Sequence, residues 1–239
     1  MLTAKDLDSR QTAGQNAGRG PEDARDGRLA TRQAALTAAL CLLTFFQGNV
    51  SMGYQLVGSR LLYPYFGSTI YVWALLISTF LLAFSIGSFL GGYVSRIKRG
   101  RRSLLVWLSL AGVAGFLVTA AFGRPLLASL DPSPETETLD LVLACGALFL
   151  VPVCAVSALS PVLADLASRL GRAAGPASGL VYGINTAGNI TGIMLTVFGL
   201  IPNLPVSTIL YVWLAAAVLL YAGFHLLDAV LERVAPLGA

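Results

Sequence analysis

Charge is what this sequence holds least of. Asp, Glu, Lys and Arg make up 12% of its 239 residues, about half the roughly 25% usual in a soluble domain, so a water-facing globule fits poorly. Histidine occurs once and cysteine three times. One histidine, with no cysteine or carboxylate at ligand spacing, gives no basis for a metal centre. Cys41, Cys145 and Cys154 all fall inside apolar runs, where they read as small buried hydrophobes and imply no structural disulfide. No Asp, Glu, Lys, Arg or His lies near the middle of any such run, which disfavours proton-coupled transport. No nucleophile sits beside a base, and the Gly-Arg-Gly of residues 18–20 lacks the strand and helix that frame a phosphate loop. These absences point away from an enzyme and imply no cofactor.

Apolar length is what the chain does have. Hydrophobic residues make up 56%, gathered into runs near 34–57, 70–94, 104–122, 140–164, 178–200 and 207–228. Each run is long enough to cross ~30 Å of hydrocarbon as a helix. Strict alternation, the mark of a membrane β-barrel, is missing. The expected fold is therefore all-α: a polytopic membrane bundle of six transmembrane helices over residues 34–229. Residues 1–33 mix six basic and five acidic side chains with Gly, Gln and Ala and read as a disordered tail; residues 230–239 read as a second, short tail. The first apolar run begins too late and runs too long for a cleaved signal peptide.

The basic residues sort by side. Six precede the first run, five lie in Arg96, Lys98, Arg99, Arg101 and Arg102, two are Arg169 and Arg172, and Arg233 follows the last run. Only Arg60 and Arg124 fall on the other side. The positive-inside rule then puts both termini in the cytoplasm. The run at 96–102 reads as a topology determinant that also meets anionic lipid heads, not as a nucleic-acid site. On the opposite side, Asp131, Glu135, Glu137 and Asp140 cluster between the third and fourth runs. One reading is an acidic mouth for cations such as polyamines; the other is a solvated loop with Thr138 or Asp140 capping the fourth helix.

Polar residues inside the runs carry most of the remaining information. Gln47, Ser51 and Gln55 recur every four residues and share one helical face, with Asn49 and Tyr54 near it. In the fifth run Tyr182, Asn185 and Asn189 share another face. Amides in lipid cost several kcal/mol unless paired, so the two stripes are expected to meet and helices 1 and 5 to touch. Interhelical hydrogen bonding is one interpretation; a polar lining for a small solute is the other. Small-residue pairs at Gly87/Gly91, Ser88/Gly92, Gly179/Gly183 and Gly188/Gly192 predict close helix approach. Pro152 and Pro161 predict a broken fourth helix, with Ser157 and Ser160 expected to satisfy the freed carbonyls. Asp165 is spaced to pair with Arg169, and His225 with Asp228. The block LVGSRLLYPYFGSTIYVW at 56–73 reads as an aromatic re-entry turn, broken at Pro64 and Gly67 and restarted by Ser68 or Thr69, with Arg60 beside Gln55 at the mouth of the seam.

Three segments together resemble a known family: SRLLYPYFGSTIYVWALL at 59–76, GSFLGG at 87–92, and GLVYGINTAGNITG with FGLIPNLP across 179–205. They are similar to the membrane region of membrane-fused spermidine synthase-like proteins, over about residues 40–225. The family commonly carries Glu where this chain has Gln55. The resemblance implies an aminopropyltransferase-like catalytic domain after the last span, whereas this sequence runs to Ala239. The expectation is thus a non-catalytic module of a bacterial inner membrane that anchors or regulates a separate partner, such as a soluble synthase-like protein, or that forms a homo-oligomer. The alternative is a transporter or channel for a polyamine or neutral metabolite, using Gln47, Ser51, Gln55, Arg60, Tyr182, Asn185 and Asn189.

Overall fold

The computed structural model describes residues 21–97, 99–130 and 136–234. Among them the backbone is helical apart from short connections, with no strand: α1 (Pro21–Phe66), α2 (Ile70–Arg96), α3 (Arg101–Ser129), α4 (Glu137–Cys145), the π-helix π1 (Gly146–Leu150), α5 (Val151–Ser157), α6 (Leu159–Arg169), α7 (Ala174–Met194), π2 (Leu195–Leu200) and α8 (Val206–Val234). Six helical stretches are long and apolar enough to cross a membrane, with α4 to α6 counting as one and α7 with π2 as another. The exposed surface of these helices is studded with large apolar side chains, Phe89, Trp107, Phe122, Phe198 and Leu226 among them. In water such a surface is unfavourable; in hydrocarbon it is the ordinary exterior of a multi-pass protein.

The chain divides into two compact units at Ala39/Leu40. In the first, α1 already runs from Pro21, so residues 21–33 are helical where the composition predicts disorder. Ala30, Ala34 and Ala35, with Arg32 and Gln33, are strong helix formers, and a helix continued by an apolar run needs no separate nucleation. Residues 1–20 lie outside the described residues. The second unit holds the bundle. Its last helix reaches Val234, past the expected limit at 229, and residues 235–239 lie outside the description.

The 40–66 stretch of α1 forms the axis of this second unit. Leu40, Thr44, Gln47, Val50, Tyr54, Val57, Leu61 and Phe66 line one buried face. The consecutive residues Gln47, Gly48, Asn49, Val50 and Ser51 are also all buried, so at this level the helix is enclosed on every side. A helix that carries amides and hydroxyls at membrane depth belongs where other helices can satisfy them. At its centre the Tyr54 ring meets Phe116 of α3 at 4.4 Å, Phe149 of π1 at 5.7 Å and Phe80 of α2 at 6.2 Å between centroids. Gly53 leaves room for the Trp213 indole of α8, which fills the space a Cβ would need. α2 packs on α5 and α6 through Gly87, set against Cys154 and Ser157, and Gly91, set against Ala158 and Pro161. The neighbouring Gly92 faces open space, so only the first of the two predicted pairs is used.

The fourth span is broken as its prolines require. Pro152 has no N–H for the carbonyl of Leu148, four residues earlier, and the helix widens into π1 just before it. Pro152 therefore cannot satisfy that carbonyl, and side chains of two other helices do. The Leu148 oxygen accepts from Thr119 Oγ1 of α3 at 2.7 Å and from the Tyr54 hydroxyl of α1 at 3.4 Å. Ser157, expected to take this role, instead donates to Ala83 of α2 at 3.3 Å and to Cys154 at 3.1 Å. α4 begins at Glu137, so Thr138 and Asp140 lie in its first turn and not at the cap.

Candidate functional site

Among the described residues no hydrogen bond joins the two predicted polar stripes to each other. α1 and α7 touch as expected, but through backbone: a Cβ at Gly48 would strike the Asn185 carbonyl, one at Gly188 the Phe45 carbonyl, and one at Gly192 the Asn49 backbone. Such contact requires residues without side chains on both helices. Asn185 reaches α1 with its amide, donating to the Thr44 carbonyl at 3.4 Å, while the Asn189 amide turns to Asn185 Oδ1 at 3.4 Å. Gln47, one position round from Gly48, points away from α7. Its amide donates to the Val156 carbonyl and to Ser160 Oγ, both at 2.8 Å, and so bridges the junction of α5 and α6. Ser51 and Gln55 are also buried, one and two turns further along α1.

Tyr182 is 77% exposed and takes no part in the seam. Three and seven residues span 300° and 700° of helix, so Tyr182, Asn185 and Asn189 cover an arc, and the helix turns its glycine edge to α1. The same rotation leaves Gly179 and Gly183 with nothing against them, and that predicted pair makes no helix contact. The seam is therefore a packed interface in which the amide donors of Gln47, Asn185 and Asn189 go to neighbouring carbonyls and side chains. Gln47 Oε1 and Asn189 Oδ1 are buried without a hydrogen-bond partner among the described residues.

Arg60 lies elsewhere. It is exposed and lines a cleft of about 320 Å³ between the end of α1, the start of α2 and π2. Ser59, Tyr63, Ser68 and Trp73 contribute polar or aromatic edges, and Val72, Val197 and Ile201 contribute apolar wall. Gln55 is not in this lining: five residues turn a helix by about 500°, so it and Arg60 diverge. The cleft owes its shape to the α1–α2 turn. α1 continues through Pro64 and stops at Gly67, whose φ of 71° suits a residue without a Cβ. Thr69 then caps α2, its hydroxyl accepting from the Val72 N–H at 3.3 Å. Ion pairs among the described residues join Arg101 to Asp228 and Glu232, and Arg169 to Asp165; Arg60 is in none of them.

A second polar interface, which the sequence reading missed, runs between α3 and α8. Arg101 at the start of α3 is buried and bonds Asp228 at 2.9 Å, with Glu232 at 3.8 Å. Two turns along, Ser109 meets His225 Nε2 at 3.0 Å, and further on the Tyr221 hydroxyl sits against Gly112. The expected His225–Asp228 pair is thus replaced by two separate partners on α3. The available signal was register: Arg101, Ser109 and Gly112 share a face of α3, as Tyr221, His225 and Asp228 do on α8. Asp165 and Arg169 pair as their spacing predicts, at 2.9 Å.

Compared with protein-family models, curated proteins and solved structures, the chain matches none.

Proposed function

We propose that the chain is a non-catalytic membrane module that anchors or regulates a separate soluble partner, with a polyamine-synthase-like protein the first candidate. In this reading it sits in a bacterial inner membrane with both termini in the cytoplasm, where the exposed Arg96, Arg99 and Arg102 face anionic lipid heads and Arg101 is taken up by Asp228 and Glu232. The observation that supports a packing role is the closed seam. Gln47 and Asn185 spend their amide donors on neighbouring helices, and backbone contact at Gly48, Gly188 and Gly192 leaves no room for a solute between α1 and α7.

The test is purification in mild detergent. A soluble aminopropyltransferase-like subunit should co-purify in stoichiometric amount, and proteoliposomes of the chain alone should take up labelled spermidine no faster than empty liposomes. Uptake above that background, lost in a folded Asn185→Leu/Asn189→Leu variant, would replace this reading with the transporter.

A further inference from the structure

We infer that the Arg60 cleft binds an anionic group carried on an apolar body, the phosphate of a lipid headgroup being the type. The inference does not depend on whether the module serves a partner. Its first support is charge. The cleft contains one formal charge, the Arg60 guanidinium, and no carboxylate of a described residue lies within ion-pair distance of it. A cation such as a polyamine is repelled there; a phosphate or carboxylate is attracted, and the planar guanidinium meets either one through two parallel N–H bonds.

The second support is the wall chemistry. The space of about 320 Å³ lies at the small end of ligand sites. Ser68 and Tyr63 supply hydrogen-bonding edges, the Ser59 hydroxyl being given to the Leu56 carbonyl at 2.8 Å, whereas Val72, Val197 and Ile201 present hydrocarbon. A free inorganic anion leaves that hydrocarbon uncovered, and a purely apolar molecule leaves the guanidinium unpaired. A headgroup with the first carbons of its chains satisfies both. The third support is depth. Arg60 lies six residues, about 9 Å of helix, before the end of α1 at Phe66. The exposed rings of Tyr63, Tyr71 and Trp73 surround this end as an interfacial belt does. The guanidinium is therefore held where headgroup phosphates lie.

Binding is read from thermal unfolding of the purified full chain in neutral detergent, with added phosphatidylglycerol, phosphatidylcholine or inorganic phosphate. Phosphatidylglycerol should raise the wild-type midpoint more than phosphatidylcholine does. Arg60→Gln should bind it about fivefold more weakly, the fold-change equivalent to about 1 kcal/mol for one charge at a headgroup. Arg60→Lys should keep part of the effect. Val197→Phe, which fills the cleft and leaves Arg60 in place, should also lose it, so the result does not hang on one variant. A response to inorganic phosphate as large as that to the lipid, and equally dependent on Arg60, assigns the site to soluble anions. Equal responses of wild type, Arg60→Gln and Val197→Phe to every additive overturn the inference.

Discussion

The α1–α7 and α3–α8 interfaces bury polar groups by opposite means. Between α1 and α7 the helices lack side chains at the points of contact, so Gly48, Gly188 and Gly192 bring backbone to backbone and the asparagines only trim the edges. Between α3 and α8 the contact is made by side chains, with Arg101, Ser109, Asp228 and His225 pairing across it. The first interface depends on the absence of volume and the second on the presence of charge. They should accordingly fail under different substitutions.

The largest effect is expected at the charged interface. Asp228→Ala leaves the Arg101 guanidinium buried without its main partner and should destabilise the bundle by about 3 kcal/mol or more, read as a lowered unfolding midpoint in detergent. Replacing both partners, as Arg101→Met with Asp228→Leu, should restore most of that loss, because the desolvation cost disappears with the pair. Next comes Gly188→Val, which must push α7 off the Phe45 carbonyl; a cost of about 1–3 kcal/mol is expected for such overpacking. The pair of substitutions inverts the comparison, since added volume harms one interface and removed charge harms the other.

Smaller effects should follow from single hydrogen bonds. Gln47→Leu removes two donated bonds to the α5–α6 junction, and Thr119→Val removes the 2.7 Å bond to the Leu148 carbonyl. Each should cost roughly 0.6–1.7 kcal/mol, the range seen for interhelical bonds in membranes. Their double mutant should show near-additive losses if the two sites are independent. Gly183→Ala is the control. That glycine has nothing against it, so the change should be neutral or slightly stabilising through helix propensity. A loss as large as that of Gly188→Val would mean that the exposed edge of α7 is covered in the membrane.

The reasons some of this was legible in the sequence lie in how each residue acts. Apolar length alone specifies six spans, because the hydrocarbon thickness leaves few other solutions. Pro152 announces a break, and Gly67 and Thr69 a turn and a cap, since their effect is local to their own backbone. The contact of helices 1 and 5 was expected from their polar stripes, but it is made by backbone approach at Gly48, Gly188 and Gly192. The partners of Gln47, Tyr54 and Asp228 were not legible. A polar side chain in a membrane helix advertises a need without naming who meets it, and the answer depends on helix rotation. A change of one position decides whether Gln47 or Gly48 faces α7. Arg60 was visible as an isolated charge, but the cleft beside it is made by three chain segments with no common pattern.

The shared carbonyl of Leu148 also has a consequence in time. Tyr54 and Gln47 are made early, yet their partners lie 94 and 113 residues later in the chain. At the usual 5–20 residues per second of synthesis, the axis helix waits roughly 5 to 23 s with its central polar groups unmatched. During that interval Gln47 and Tyr54 face the membrane unpaired, although in the finished bundle both are buried. The helix that organises the fold is thus the one most dependent on the rest of the chain arriving.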